Sequence, residues 1–171
     1  MQVLRQKITQ LMTDEPNLLP GDMAIRLGVS EYDVVCAFPH EMVSVMPAKE
    51  AQSLLETIAQ WGPVTVIVQS GGSIFEVKAP LPRGKVARGY YNLMGEEGQL
   101  YGHLKLDAMA YIALLSRPFM GKESHYFGFF SKQGDSIFKI YLGRDEQRRL
   151  FPEQVEKFIQ LKQKYQSLDE E

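Results

Sequence analysis

The sequence has a single cysteine, Cys36, among 171 residues. One thiol cannot close an intrachain disulfide, so a reducing compartment is the expected setting. Long apolar runs are missing too. No stretch approaches the roughly eighteen consecutive apolar residues that a transmembrane helix needs, so no membrane insertion is expected. The opening "MQVLRQKITQLM" mixes polar and apolar residues at helical spacing and has no unbroken apolar segment. No signal peptide is therefore expected, and the chain should be cytoplasmic. Excess charge of either sign is absent: nineteen Lys and Arg stand against twenty-one Asp and Glu, a net of −2. A near-neutral chain has no general attraction for nucleic acid or for an anionic membrane. The common catalytic signatures HExxH, GxSxG and CxxC do not occur. "GKES" at 121–124 resembles the end of a phosphate-binding loop, but Ser116 stands where that motif requires glycine. The histidines His40, His103 and His125 are too scattered for zinc-ligand spacing.

What is there is an ordinary globular composition, 44% hydrophobic and 23% charged, enough for one well-filled core. Residues 1–40 read as a helical segment. Val3, Leu4, Ile8, Leu11 and Met12 recur at helical spacing until Asp14-Glu15-Pro16 breaks the run. "LPGDMAIRLGVSEYDVVCAF" then resembles a helix-turn-helix, with a turn at Gly28 and an N-cap at Ser30. From Asp14 to Phe38, Asp14, Glu15, Asp22, Glu31 and Asp33 stand against Arg26 alone, so the acids would meet phosphates and no nucleic acid is expected as partner. Cys36 lies in this apolar stretch, where an inert core thiol is expected. Residues 48–60 predict a helix with Leu54, Leu55 and Ile58 on one side. From 64 to 142 seven strand-like runs follow one another through Gly- or Pro-containing turns, which predicts a large antiparallel sheet. Pro152 opens a last helix, 152–168, with Val155, Phe158, Ile159 and Tyr165 as its stripe. The expected architecture is α+β: one domain over 1–171, a large antiparallel sheet flanked by helices.

One hairpin carries more polar chemistry than a strand pair needs. In "GKVARGYYNLMGEEGQLYGHLKL", residues 84–106, a loop closed by Gly95 and Gly98 sets Met94 opposite Gln99 and Asn92 opposite Tyr101. Tyr90 then falls opposite His103, and Arg88 opposite Lys105. Alternation puts these on one face and Gly89, Tyr91, Leu93, Leu104 and Leu106 on the other, the core face. Arg83, Lys85, Arg88 and Lys105 supply a basic rim that suits an anion. Cations and an imidazole beside a phenol favour phenolate, and ferric iron favours it more strongly. A tyrosinate, an imidazole and a basic rim match the needs of a ferric heme with two propionates. A cross-strand Tyr–His pair on a merely solvated face is the plainer alternative.

The stretches "QWGPVTVIV", "GSIFEVKAPLPRGKVARGYYNLMG", "GHLKL", "RPFMGKESHYFGFF" and "FKIYLGRDEQRRLFPEQVEKF" resemble the cytosolic heme-utilization carriers of the HutX/ChuX type in Gram-negative bacteria. The resemblance covers nearly the whole chain. It implies heme b as the bound group, a homodimer on the sheet fold shared with the larger heme-degrading HemS/ChuS proteins, and a carrier that hands imported heme to a heme-degrading enzyme. It implies Tyr90 as axial ligand to the heme iron and brings His103 into the site. Lys85, Arg88 and Lys105 are the expected contacts to the propionates. Directly facing residues have Cβ atoms only about 4.5–5.5 Å apart, too close to grip an iron from both sides. His103 is therefore expected as a hydrogen-bond partner of the phenol or an alternative ligand. A heme-degrading enzyme is the alternative function, and no enzyme activity is expected because an anionic oxygen ligand stabilises ferric iron against the reduction that oxygen chemistry needs. For the dimer, the runs "SHYFGFFS" and "SIFKIYLG" carry large apolar side chains on both faces, and each face needs cover.

Overall fold

Helix ends follow local chemistry in the N-terminal third. Helix α1 (Gln2–Asp14) stops at the acidic break before Pro16. Helix α2 (Pro20–Leu27) opens on a proline, which has no N–H to leave unpaired there, and closes at Gly28 with φ 66°. Helix α3 (Glu31–Cys36) starts where the Ser30 hydroxyl accepts a hydrogen bond from the Asp33 amide at 3.0 Å. Two further helices follow, α4 (Ala51–Ile58) and α5 (Pro152–Leu168). The computed structural model describes residues 1–168.

The strands among the described residues are β1 (Val43–Pro47), β2 (Pro63–Ser70), β3 (Ser73–Pro80), β4 (Gly84–Ala87), β5 (Tyr90–Leu93), β6 (His103–Leu104), β7 (Tyr111–Ser116), β8 (His125–Phe130) and β9 (Ser136–Leu142). They form two antiparallel sheets: six strands in the order β1-β7-β8-β9-β2-β3, and three in the order β4-β5-β6. The α+β class with one large antiparallel sheet matches the expectation. Two details differ. Val43–Pro47, ahead of the run of strands expected from residue 64, joins the large sheet as β1, paired with β7 from Val43↔Leu115 to Pro47↔Tyr111. The polar hairpin region separates into a small sheet of its own.

Both faces of the large sheet are covered within the chain at its centre, around β7 and β8. On one side Leu54, Leu55 and Ile58 of α4 and Phe158 and Tyr165 of α5 pack on Phe127, Phe129, Leu114 and Ile140. On the other, Ile8, Met23, Val34, Val35 and Phe38 pack on Ala113, Leu115, Tyr126 and Phe130. The apolar β8–β9 pair therefore gives no ground for a dimer, because its two faces already have helices over them. The helix-turn-helix-like segment is part of this packing. Val34 and Val35 of α3 are fully buried, and Glu31 is ion-paired to Lys139 of β9 at 3.0 Å with both side chains sequestered. That helix is fixed to the sheet by its apolar side and leaves Asp33 exposed on the other.

The small sheet rests its core face on the first of these clusters through Tyr91 and Leu93. Its other face is left to solvent.

Candidate functional site

The run read as one strand, "VARGYYNLM", breaks in the middle. Arg88 (φ 56°) and Gly89 (φ 81°) both take left-handed conformations and make a two-residue turn between Ala87 and Tyr90, which pair across it. Positive φ at both central positions matches the right-handed twist of the flanking strands. The consequence is a correction: Arg88 lies at an exposed hairpin tip, next in chain to Gly89 and Tyr90, and does not face Lys105. A branched or long side chain in this region costs about 1–2 kcal/mol, so an arginine here carries a backbone penalty for its position.

The second hairpin is also displaced. The Gln99 amide donates to the Glu96 carbonyl at 3.0 Å, and the turn between them is Glu97-Gly98 with Gly98 at φ 87°. Glycine goes to the turn's third position, where positive φ is needed, and not to its corner. Pairing then runs Tyr91↔Leu104 and Asn92↔His103. The register has moved by two residues, so every side chain keeps its face while its partner changes. Tyr90 and His103 become diagonal neighbours, their rings edge to face with centroids 6.1 Å apart. Tyr101 sits on the other side of His103, centroids 5.4 Å apart and also edge to face.

Across the small sheet the register aligns Lys85, Asn92 and His103 in one row. Lys85, Arg88, Tyr90, His103 and Lys105 are all exposed. The adjacent tyrosines part company sharply: Tyr90 is 39% exposed and Tyr91 is 0%. Gly84 makes the burial possible, since a Cβ there would lie 2.1 Å from Cζ of the Tyr91 ring. Burial raises the Tyr91 phenol above its ordinary value, and the Glu56 carboxylate adds to the rise. Tyr91 is thus poorly placed to become a phenolate ligand, whereas Tyr90 stands in the open with Lys85 on its own face. Met94 (62% exposed) and Tyr101 (72%) supply apolar surface beside that face, which a flat aromatic ligand could cover.

Asn92 and Tyr101 are the two residues whose importance the sequence understated. Asparagine is disfavoured inside strands, and its presence at the centre of β5 was a usable signal. His125 belongs elsewhere. It is buried, with Nδ1 2.8 Å from the Ser116 hydroxyl and Nε2 2.6 Å from Glu123, and packs on Phe158. That is a satisfied structural histidine. "GKES" forms the tight link between β7 and β8, with Met120 and Gly121 at positive φ and no helix following, so it cradles no phosphate. Among the described residues no cluster of three or more His, Cys, Asp or Glu is placed to hold a metal ion. A heme iron asks for less, because the porphyrin supplies four of its ligands and the protein one or two. A cleft of about 460 Å³ between α4 and α5, lined by Trp61, Leu161, Lys157 and Lys164 among others, includes none of these site residues.

An exposed phenol, an imidazole and Lys85 share one face of the small sheet, groups whose chemistry suits a planar anionic ligand. The chain belongs to the haem utilisation ChuX/HutX family, whose model matches residues 44–161. It is 58% identical over 165 residues to the intracellular heme transport protein HutX of Vibrio cholerae, covering 96% of this chain and 86% of that one. The structure of the heme-binding protein ChuX superposes with a TM-score of 0.82 at 32% identity, over 94% of this chain and 97% of that one. ChuS, a heme oxygenase of E. coli, shares the fold at 15% identity and a TM-score of 0.70, with 94% of this chain matching 47% of that longer one.

Proposed function

We propose that this chain is a cytoplasmic carrier that binds ferric heme b through the Tyr90 oxygen and passes it to a heme-degrading enzyme. The observation that carries the reading is the division between neighbouring tyrosines: Tyr90 open on the polar face, Tyr91 sealed in the core. Support comes also from the relatives, one named for intracellular heme transport and one for heme binding. The heme's chemistry fits the residues present. An exposed phenol can ionise against Fe(III), Lys85, Lys105 and Arg88 can meet the propionates, and Met94 and Tyr101 offer apolar contact. His103 stands beside the phenol as a hydrogen-bonding group or an alternative ligand. Arg88 enters from the hairpin tip, which leaves it freer to follow a propionate than a strand residue would be.

The carrier is a homodimer in this reading, and its contact surface is the β2–β3 hairpin. Val68 and Phe75 pair across that hairpin and, with Ile74, are exposed on an edge of the large sheet. Exposed apolar side chains on an edge hairpin are costly to leave in water. Sedimentation of wild type against Phe75→Glu checks this, with a dimer expected for the first and a monomer for the second.

Optical titration with ferric heme tests the site. Wild-type protein should give a phenolate-type spectrum that Tyr90→Phe abolishes, while Tyr91→Phe leaves it in place. A Tyr90→Phe variant with wild-type spectrum and affinity would overturn the ligand assignment. Adding a reductant under air to the loaded protein separates carrier from degrading enzyme: the heme spectrum should persist without enzymatic conversion to an open tetrapyrrole.

A further inference from the structure

The side-chain amide of Asn92 ties the two edges of this face together. Its Nδ2 donates to the carbonyls of Lys85 at 3.0 Å, Ala87 at 3.2 Å and Tyr90 at 3.2 Å. Carbonyl oxygens only accept, so the amide can point only one way, its two hydrogens shared among three acceptors around the Arg88-Gly89 turn. Oδ1 is thereby turned toward β6, where it lies 2.6 Å from Nδ1 of His103. An amide oxygen carries no hydrogen, so the hydrogen of that bond must sit on Nδ1. A neutral imidazole has one N–H, and with it placed on Nδ1 the Nε2 lone pair is left uncommitted. Among the described residues no hydrogen bond engages Nε2.

We infer that Asn92 is a positioning residue of the site: it selects the Nδ1–H tautomer of His103 and so presents Nε2 as a proton acceptor on the face that carries Tyr90. The consequence for ligand binding rests on the heme reading. A bare Nε2 can accept a hydrogen bond from a hydroxyl on that face, the Tyr90 phenol among them, whereas the opposite tautomer would hold a hydrogen on Nε2 and could only donate there. The same amide also braces the turn that sets Arg88 and Tyr90, so one side chain aligns acceptor, ligand and rim.

Nitrogen-15 correlation spectra of the histidine rings in heme-free protein, at about pH 8.5 where an ordinary imidazole is neutral, test the tautomer directly. The His103 signals are identified by their loss in His103→Gln. Nδ1 should appear protonated and Nε2 bare. A His103 that is Nε2–H, or a rapid mixture of both, would overturn the inference whatever heme does. Asn92→Asp keeps an acceptor for Nδ1–H and should keep the tautomer; Asn92→Leu removes it and should release the ring to the mixture seen in water. Heme loss to an excess of a strong acceptor protein should be about tenfold faster in Asn92→Leu. A tautomer unmoved in Asn92→Leu would overturn the assignment of its cause. If Asn92→Leu fails to fold, the wild-type and Asn92→Asp spectra still decide. The failure of the heme reading itself would show separately, as unaltered heme binding in Tyr90→Phe.

Discussion

The two sheets of this chain meet water in opposite ways. In the large sheet every residue of β8 (His125–Phe130) is buried, with α4 and α5 over one face and α1 to α3 over the other. In the small sheet only one face is buried, through Tyr91 and Leu93, and the other exposes Lys85, Tyr90 and His103. The difference teaches where stability resides and where polar groups are free to stand. Apolar burial holds the large sheet in one state, and the small sheet borrows that rigidity through Tyr91, Leu93 and the partly buried Leu104. Its free face can then carry polar and aromatic groups that no core would accommodate.

The comparison breaks most visibly in the core. Phe129 is fully buried and stacked on Phe138 with centroids 4.4 Å apart. Phe129→Ala should cost about 3–5 kcal/mol in urea unfolding, yet leave the heme spectrum of the folded protein unchanged. A loss of under about 1 kcal/mol would mean that the large sheet is not the stability reservoir.

Alkaline pH sharpens the same contrast. Burial, with the Glu31 and Glu76 carboxylates adding and Arg117 opposing, pushes Tyr141 up to about 12 from an ordinary 10.0. Tyr126 is fully buried among these groups and is raised well above its ordinary value, chiefly by burial. A phenol whose pKa is higher when folded holds its proton more tightly in the folded state. Its contribution is complete below about pH 10 and is lost as pH rises toward about 12. For Tyr141 this amounts to about 2–3 kcal/mol. Thermal melts across that range should fall steeply for wild type and more gently for Tyr141→Phe. Equal slopes would remove Tyr141 from the account.

In the small sheet the signs reverse. Tyr90→Phe should weaken ferric heme at least about tenfold, roughly 1.4 kcal/mol, and change stability by under about 0.5 kcal/mol. Matched heme titrations and urea curves check both numbers in one preparation. A Tyr90→Phe protein that is destabilised but binds normally would place Tyr90 with the structural residues.

The smallest effect tests the strained turn. Arg88→Asn puts a residue tolerant of positive φ into the two-residue hairpin, and should stabilise the fold by about 0.5–1 kcal/mol. It should also weaken binding of heme with free propionates more than binding of its dimethyl ester. Stabilisation without any loss of binding would leave the arginine's conformation unexplained by function.

Much of this was legible from one dimension. Gly28 and Ser30 marked the α2–α3 boundary because a left-handed C-cap and a hydroxyl N-cap are local demands. Val155, Phe158, Ile159 and Tyr165 marked the buried side of α5 through spacing alone. The faces of Tyr90 and Tyr91 were legible through alternation, and they survived a wrong register because the error was two residues. The break at Arg88-Gly89 was not legible. Arginine rarely takes positive φ, and an apolar-polar alternation running through it looks like a continuous strand.

By itself, then, the sequence determined what depends on neighbours in the chain: helix ends, turn glycines, the parity that separates Tyr90 from Tyr91, and the motifs of the ChuX/HutX family. Only the tertiary structure decided which strands form which sheet, that both faces of β8 are covered by this chain's own helices, and that Asn92 stands opposite His103. Those outcomes depend on which surfaces find each other across long stretches of chain. The closest pairing of a strand is set by the packing energy of a whole face, and no single residue or spacing carries that information.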